Sequence, residues 1–331
     1  FMITHFFNPP RYMRLLELVI GSQTRPELVD AIREFADIKL GKGCVMCKDT
    51  PGFIANRIGM FWLQCGMLEA MERGLSVEEA DAVMGTPIGM PKTGIFGLLD
   101  LVGLDLMPHI MEGMKMALPP DDAFNLINQV PEQVQKMIAD GYTGRKGKGG
   151  FYRLNKEGGK RIKESIDLVT GDYHASKKPK LDCIQAIKID GIKGLVTYDD
   201  KQGRYAWNVL SRTLVYAASL IPEISDDTIA VDEAMKLGYN WRYGPFELLD
   251  KIGVDWFVDR LREEERDSPP LLKNYQPMYK VESGKPFYIN LSGGYQPVTR
   301  PEGVLLLSDI KLQNSAVLEN PSASLWDIGD G

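Results

Sequence analysis

Two residues near the N-terminus, His5 and Glu17, have the types and spacing that proton-transfer chemistry requires. His5 lies in the segment Thr4-His5-Phe6-Phe7-Asn8-Pro9-Pro10, directly after the apolar Phe1-Met2-Ile3, which we expect to end a buried strand. The two prolines cannot continue a sheet ladder. The imidazole is therefore expected at a strand exit, where open α/β sheets bind their ligands. Histidine changes protonation near neutral pH, as an acid–base group must.

Glu17 lies in a second strand-like segment, Leu15-Leu16-Glu17-Leu18-Val19-Ile20. A carboxylate among aliphatic side chains is costly to bury unless it has a polar partner. A nearby imidazole would be a suitable partner. The sequence therefore predicts that His5 and Glu17 contact each other across adjoining strands.

Three separated motifs resemble those of the 3-hydroxyacyl-CoA dehydrogenase family, whose members oxidise the 3-hydroxyl of fatty acyl-CoA with NAD during β-oxidation. The motifs are the Thr4–Pro10 segment, Glu17, and Lys48-Asp49-Thr50-Pro51-Gly52-Phe53-Ile54-Ala55-Asn56-Arg57. The resemblance covers residues 1–286 and is clearest over residues 1–105. It implies NAD-dependent oxidation of (3S)-hydroxyacyl-CoA to 3-oxoacyl-CoA.

The resemblance also implies roles for four residues. His5 would accept the hydroxyl proton, and Glu17 would hold the imidazole in one tautomer and stabilise the imidazolium. Asn8 matches a position that contacts the nicotinamide part of NAD, and Asn56 matches one that hydrogen-bonds the substrate oxygen. Two alternatives stay open, because Asn8 could cap the turn before Pro9 and Asn56 could face solvent.

The glycine-rich turn that holds the pyrophosphate of a dinucleotide is missing from this sequence. No G-x-G-x-x-G follows a strand, and the nearest glycine cluster, Gly144–Gly150, follows a helix-like segment. Family members bind NAD with that turn and the helix after it. We therefore expect most of the NAD site to lie outside this chain, and the chain alone to be inactive or nearly so.

Local signals predict a mainly α fold with an α/β remnant, in which the tail of a Rossmann-like sheet precedes helices. Thr50-Pro51 marks a helix start, with proline at the tolerated first position, and Gly74 marks its end. Ser76-Val77-Glu78-Glu79 has the capping-box pattern that begins the next helix. The strand-like Gly194-Leu195-Val196-Thr197-Tyr198 follows further along the chain.

The helical part contains an internal repeat. Gly94–Asp105 matches Gly244–Asp255 at an offset of 150 positions, and Ala80–Met84 resembles Val231–Met235 at an offset of 151. A duplicated helical unit needs a neighbour to bury its apolar face. The two copies are therefore expected to pack on each other as a pseudo-dimer within one chain.

The resemblance divides the chain into five expected parts. Residues 1–49 are expected to be the C-terminal part of a Rossmann NAD-binding domain, and residues 50–152 a first helical dehydrogenase C-terminal domain. Residues 153–202 are expected to be a connector, and residues 203–286 the second helical repeat. Residues 287–331 are expected to be a linker, with Pro301 as a breaker, and the start of an enoyl-CoA hydratase domain. The last assignment rests on the similarity of Ala323–Gly331 to the entrance of such a domain. The chain would then be the middle of a fused dehydrogenase and hydratase.

Composition argues against several classes of partner. Lys and Arg number 39 and Asp and Glu number 45, a net charge of −6 that favours neither nucleic acid nor an anionic membrane surface. Four cysteines suit a reducing, cytoplasmic compartment. Cys44 and Cys47 form a C-x-x-C without the second ligand pair of a zinc site, so we expect no metal and a buried strand there.

Two other functions stay open. The isolated chain could be a helical docking and dimerisation module, with a homodimer formed through its helical domains. It could also derive from a β-hydroxyacid dehydrogenase that acts on a non-CoA substrate. Such families usually use a lysine as the acid–base group, whereas the matching motif here carries His5.

Overall fold

The computed structural model describes residues 1–156, 159, 161–300, 303–320 and 322–329. Pro301, Asp330 and Gly331, which belong to the expected linker and hydratase entrance, lie outside the described residues. Within the described ranges, helices predominate and four small sheets accompany them. In the same ranges, no helix combines the length and the apolar character needed to cross a bilayer.

The first 50 residues form a three-stranded sheet and a helix. The elements are β1 (Met2–Phe6), β2 (Leu15–Ile20), α1 (Pro26–Glu34) with a π-helical turn at Phe35–Lys39, and β3 (Gly43–Cys47). The strand order is β1-β2-β3, with β1 antiparallel and β3 parallel to β2. The β1–β2 register places His5 directly opposite Glu17.

The expectation that Phe1-Met2-Ile3 belongs to a buried strand is wrong. β1 is at the edge of its sheet, Phe1 is exposed, and Met2 and Ile3 are half-buried. The buried strand is β2, because Leu15 and Val19 on one face join the main core while the other face packs against the residues of α1 and its π-helical turn. Alternate side chains of one strand thus serve two cores.

The first helical half contains five helices and a second sheet. The elements are α2 (Ala55–Glu72), α3 (Val77–Val83), α4 (Phe96–Val102), α5 (Met107–Ala117), α6 (Glu132–Ala139), β4 (Tyr152–Asn155), β5 (Ile162–Ile166) and β6 (Tyr173–Ala175). α2 begins at Ala55, later than the predicted start at Thr50-Pro51. The reason is that Gly52 and Phe53 have positive φ angles of 75° and 49°, which form a turn and not a helix.

Two short-range signals around α3 are confirmed. Gly74 follows α2 with a φ of 61°, the left-handed conformation that ends a helix. The Ser76 hydroxyl then accepts from the Glu79 amide at 3.2 Å, and the Glu79 carboxylate accepts from the Ser76 amide at 2.9 Å. This reciprocal capping box begins α3, as predicted.

The second helical half has a similar order of elements. They are α7 (Asp182–Thr197), α8 (Lys201–Ser219), α9 (Thr228–Tyr239), α10 (Pro245–Ile252), α11 (Val254–Glu263), β7 (Tyr279–Glu282), β8 (Lys285–Ile289) and β9 (Tyr295–Pro297). α12 (Leu307–Gln313), β10 (Leu318–Glu319) and β11 (Ser324–Leu325) follow. β8 runs across the boundary expected at residue 286. β11 lies within the Ala323–Gly331 segment that resembles a hydratase entrance.

The predicted strand at Gly194–Tyr198 is wrong, because this segment is the end of α7. Leu195 and Val196 are buried in the main core, and α7 packs on α8. The β-branched and aromatic residues favour a strand locally, but burial against a neighbouring helix decides the conformation. The connector expected at 153–202 is therefore ordered where the structure describes it.

Two buried aspartates make matching hydrogen bonds in the two helical halves. Asp81 accepts from two amides at the start of α4 and from the Tyr152 hydroxyl, at 2.7, 3.1 and 2.8 Å. Asp232 accepts from two amides at the start of α10 and from the Tyr279 hydroxyl, at 2.8, 3.1 and 2.7 Å. Each aspartate thereby joins a helix start to the first strand of a sheet.

Candidate active site

His5 and Glu17 form the hydrogen bond that the sequence predicts. The imidazole Nδ1 of His5 lies 2.7 Å from Oε2 of Glu17. The His5 side chain is 30% exposed, whereas that of Glu17 is fully buried. An ionised carboxylate can only accept, so Nδ1 carries the proton of this bond and Nε2 has a free lone pair. The pair thus presents a proton acceptor on a partly exposed imidazole.

The second oxygen of Glu17 is held by the start of α2. Oε1 accepts from the amides of Ile54 and Ala55 at 3.1 and 2.9 Å. Helix N-termini carry unpaired amides and a partial positive charge, and both stabilise a carboxylate. These bonds compensate the burial of the carboxylate, so Glu17 joins β2, α2 and the imidazole at one point.

Aromatic rings surround the imidazole. The ring centroid of His5 is 5.8 Å from that of Phe7, edge to face, and 5.4 Å from that of Phe53. Phe7 in turn contacts Tyr239, at the end of α9, with centroids 5.4 Å apart. A residue of the second helical half therefore packs behind the site. The imidazole is confined by rings as well as by its carboxylate.

The two asparagines lie in the turn after β1 and in the first turn of α2. Asn56 is half-buried in the first turn of α2, directly after the Ala55 amide that binds Glu17. Asn8 is exposed in the turn that follows β1, three residues after His5. Asn8 is therefore near His5 along the chain, and Asn56 directly follows a donor that holds Glu17. Their expected contacts with substrate and nicotinamide stay predictions.

Two aromatic residues of the second helical half and the two other histidines have packing or surface positions. Tyr239 and Trp241 are buried, and the indole of Trp62 contacts both rings. His109 is exposed on α5, and His174 lies half-buried on β6. Neither histidine belongs to the site.

The C-x-x-C pair is part of β3. Burial raises the pKa of the Cys44 thiol, and it raises that of Cys47 further, with the Glu17 charge as a lesser cause. A raised pKa disfavours the thiolate that metals and disulfide exchange require. In the part of the chain that the structure describes, no group of three or more His, Cys, Asp or Glu residues could hold a metal ion.

The partners of Glu17 on α2 were missed by the sequence reasoning. Every residue but proline carries a backbone amide, so no residue type identifies the two that point at the carboxylate. The available signal was Pro51-Gly52, a dipeptide that marks a turn. A turn there aims the first amides of the following helix back toward the sheet.

Comparisons with known proteins point to one family. A family model described as "3-hydroxyacyl-CoA dehydrogenase, NAD binding domain" matches residues 1–50. A second model, described as "3-hydroxyacyl-CoA dehydrogenase, C-terminal domain", matches residues 52–154 and 205–288. The two models together cover both the sheet that carries His5 and the helices behind it.

Individual relatives agree with the family models. The chain is 37% identical over 340 residues to a "Probable 3-hydroxyacyl-CoA dehydrogenase" from Bacillus subtilis, covering 100% of this chain and 42% of that protein. It is 37% identical over 150 residues to the human "Hydroxyacyl-coenzyme A dehydrogenase, mitochondrial", covering 45% and 46%. The chain spans about two fifths of the length of the first curated relatives that it matches.

A solved structure has a similar fold. The 3-hydroxybutyryl-CoA dehydrogenase from Escherichia coli superimposes with a TM-score of 0.54, over 83% of this chain and 68% of that one. Sequence identity is 20%, so this likeness concerns the fold alone.

Proposed function

Because this chain belongs to the 3-hydroxyacyl-CoA dehydrogenase family, we propose that it carries the acid–base centre of an NAD-dependent oxidation of (3S)-hydroxyacyl-CoA to 3-oxoacyl-CoA. One observation carries this proposal: the 2.7 Å hydrogen bond between His5 and the buried Glu17. It supplies an imidazole with a fixed tautomer and a free Nε2.

In the proposed reaction, Nε2 of His5 accepts the proton of the 3-hydroxyl. NAD, when bound, accepts the hydride that leaves C3 of the substrate. The imidazolium that forms stays paired with Glu17, whose other oxygen keeps its two amide donors. Positioned acid–base catalysis of this kind contributes about 10²–10⁴-fold in rate.

Asn56 is the proposed partner of the substrate oxygen. Its amide group can donate to that oxygen as an alcohol and as a ketone without changing its own charge. Its place in the first turn of α2, next to an amide that binds Glu17, supports this role. The alternative of a fully solvent-facing Asn56 is disfavoured by its half-buried side chain.

We propose that this chain contributes residues to the nicotinamide end of the NAD site. Asn8, exposed after β1 and beside His5 in sequence, is proposed to contact the nicotinamide. The sequence offers no glycine-rich turn after a strand for the pyrophosphate. We therefore infer that most of the NAD site lies in the remainder of the parent protein, and that this chain alone has little or no activity.

We further propose that the two helical halves are duplicated C-terminal domains. The matching hydrogen bonds of Asp81 and Asp232 support this. Asp100 and Asp250 add a second matching pair, since each accepts from two successive amides where its half's sheet begins. The C-terminal family model also matches two separate segments, one in each half.

Other parts of the proposal rest on the sequence. We propose a cytoplasmic location, which the four free cysteines support. We propose that a hydratase domain begins near Ala323 and that the helical domains form a homodimer. The net charge of −6 supports neither a nucleic acid nor a membrane as partner. Among the residues that the structure describes, no contact favours the docking-module function over the enzyme.

The function is tested with the parent protein and its His5→Gln variant. NADH consumption with acetoacetyl-CoA should fall about 10²–10⁴-fold in the variant, because glutamine cannot exchange the proton. His109→Gln, a change of the same kind at an exposed position, should keep full activity. Equal rates for His5→Gln and the wild type, or faster reduction of free acetoacetate than of acetoacetyl-CoA, would contradict the proposal.

A further inference from the structure

Arg57 is a fully buried cation on α2 that links three parts of the molecule. Its side chain has no exposed surface. Its guanidinium donates to the Pro51 carbonyl at 3.2 Å, to Glu223 at 3.4 Å, to the Asp122 carboxylate and to the Tyr216 hydroxyl. Buried charges persist where such partners satisfy them. Tyr216 and Glu223 come from the second helical half.

The partners of Arg57 are themselves bonded to each other. The Tyr216 hydroxyl donates to Asp122 at 2.9 Å, and burial raises the pKa of Tyr216, so the hydroxyl keeps this proton. The Tyr216 ring stacks on Phe61 of α2 with centroids 3.9 Å apart. Arg57 therefore lies where α2, α8 and the segment that carries Asp122 meet.

Arg57 also closes the turn that precedes α2. Besides the bond from its side chain to Pro51, its backbone amide donates to the Gly52 carbonyl at 3.1 Å. Gly52 must stay small here, since a Cβ would lie 2.7 Å from Met114 and 3.1 Å from the Arg57 amide. The turn is thus held by Arg57 at two carbonyls, those of Pro51 and Gly52.

This turn determines where Glu17 finds its hydrogen-bond donors. The Ile54 and Ala55 amides that bind Oε1 of Glu17 come directly after it. Phe53, within it, packs against the His5 ring. A shift of the turn would therefore move both the carboxylate and one wall of the imidazole.

We propose that Arg57 is a positioning residue for the His5–Glu17 pair, and that Tyr216 and Glu223 of the second helical half act on the pair by holding Arg57. This inference rests on the proposed function. Arg57 touches neither member of the pair. It acts through the Pro51–Phe53 turn, so the second half contributes to catalysis without lending a reacting group.

The tautomer of His5 gives a direct readout in this chain. The sequence has three histidines, so ¹⁵N-histidine labelling yields few signals. In the wild type, the Nδ1–H form of His5 should dominate. The Arg57→Lys substitution keeps the positive charge but removes the planar guanidinium, whose N–H groups donate to several acceptors at once. We expect the Nε2–H form of His5 to rise severalfold and Ile54 and Ala55 to exchange their amide protons faster, with His109 and His174 unchanged.

Two further variants keep this test decisive. Arg73→Lys changes an arginine at the other end of α2, paired with Glu69, and should leave His5 as in the wild type. Tyr216→Phe removes one hydroxyl and should shift the His5 tautomer in the same direction as Arg57→Lys. If Arg57→Lys does not fold, the His5 tautomer in Tyr216→Phe tests the proposal instead. Unchanged His5 signals and amide exchange in the folded variants would overturn the proposal.

Kinetics of the parent protein separate positioning from binding. Arg57→Lys should lower kcat about 10- to 100-fold while KM for the acyl-CoA stays within a factor of a few. An unchanged kcat with a raised KM would contradict positioning. If the parent had no dehydrogenase activity at all, the proposed function would fail, and the tautomer measurement would still decide the role of Arg57.

Discussion

Glu17 uses both oxygens of its carboxylate, and each does a different task. Oε2 binds the imidazole of His5, while Oε1 accepts the Ile54 and Ala55 amides of α2. A residue at position 17 must therefore accept hydrogen bonds on both sides. Aspartate is too short to span the same partners, and glutamine accepts with one atom alone.

We predict that Glu17→Gln reverses the tautomer of His5. The glutamine oxygen must face the two α2 amides, because its NH₂ would meet donors there. The NH₂ then faces His5, whose Nδ1 must accept, and the ring proton moves to Nε2. That tautomer cannot take the substrate proton, so kcat of the parent protein should fall roughly 10²–10⁴-fold.

Two measurements check this prediction. ¹⁵N shifts of labelled histidine should show His5 in the Nε2–H form in the variant, and the acetoacetyl-CoA assay should show the loss of kcat. Glu27→Gln, at a glutamate that is 66% exposed, is the matched control and should resemble the wild type. A His5 that keeps its Nδ1 proton in Glu17→Gln would refute the argument.

At the scale of elements, the site depends on how closely α9 approaches α2. Gly59 lies where a Cβ atom would come 2.0 Å from the Tyr239 ring, far inside van der Waals contact. Tyr239 in turn supports Phe7 beside His5. A glycine in a helix interior costs stability, and here it permits the contact between the two halves.

Gly59→Ala should therefore destabilise the chain by about 1–3 kcal/mol through overpacking. Gly113→Ala is the matched control, because Gly113 is exposed on α5 and a Cβ there meets nothing within 4 Å. Gly113→Ala should stabilise the chain by about 0.5–1 kcal/mol, the usual gain for alanine over glycine in a helix. Urea unfolding of the three proteins measures both effects. A Gly59→Ala variant as stable as Gly113→Ala would show that α9 can move away freely.

Elements that local interactions determine could be predicted from the sequence, and elements that depend on distant residues could not. The stop at Gly74 and the capping box of Ser76 and Glu79 are local, and both were predicted correctly. The strand predicted at Gly194–Tyr198 failed because packing of α7 on α8 is nonlocal. The His5–Glu17 contact could be predicted, because a buried carboxylate needs a partner. The role of Arg57 could not, because its three side-chain partners, Asp122, Tyr216 and Glu223, lie 65 to 166 positions away in the sequence.

Across the whole molecule, buried aspartates join the sheet of each helical half, β4–β6 and β7–β9, to its helices. Asp100 accepts from the Phe151 and Tyr152 amides, both at 2.8 Å. Burial raises the pKa of Asp100 to about 6, against the lowering effect of these bonds. Burial likewise raises the pKa of Asp81 to about 7 and that of Asp250 to about 6. These carboxyl groups make the stability of both halves depend on pH.

The direction of this dependence follows from the raised pKa values. A carboxyl whose pKa is higher in the folded state than in the unfolded chain binds its proton more tightly when folded. Its stabilising contribution is complete below the unfolded value near 4 and is lost as pH rises through the folded value. For Asp100 this window extends from about pH 4 to about pH 6.

We therefore predict that the wild type gains stability relative to Asp100→Asn as the pH falls from 8 to 5. The variant loses one acceptor and should be less stable throughout, but it has no carboxyl to titrate. The gap in unfolding free energy should widen by roughly 1 kcal/mol over this range, measured by urea unfolding at each pH. Asp267→Asn, at an exposed aspartate, should follow the wild type in parallel. A gap that narrows toward pH 5 would mean that the amide bonds outweigh burial, so that the pKa of Asp100 is lowered.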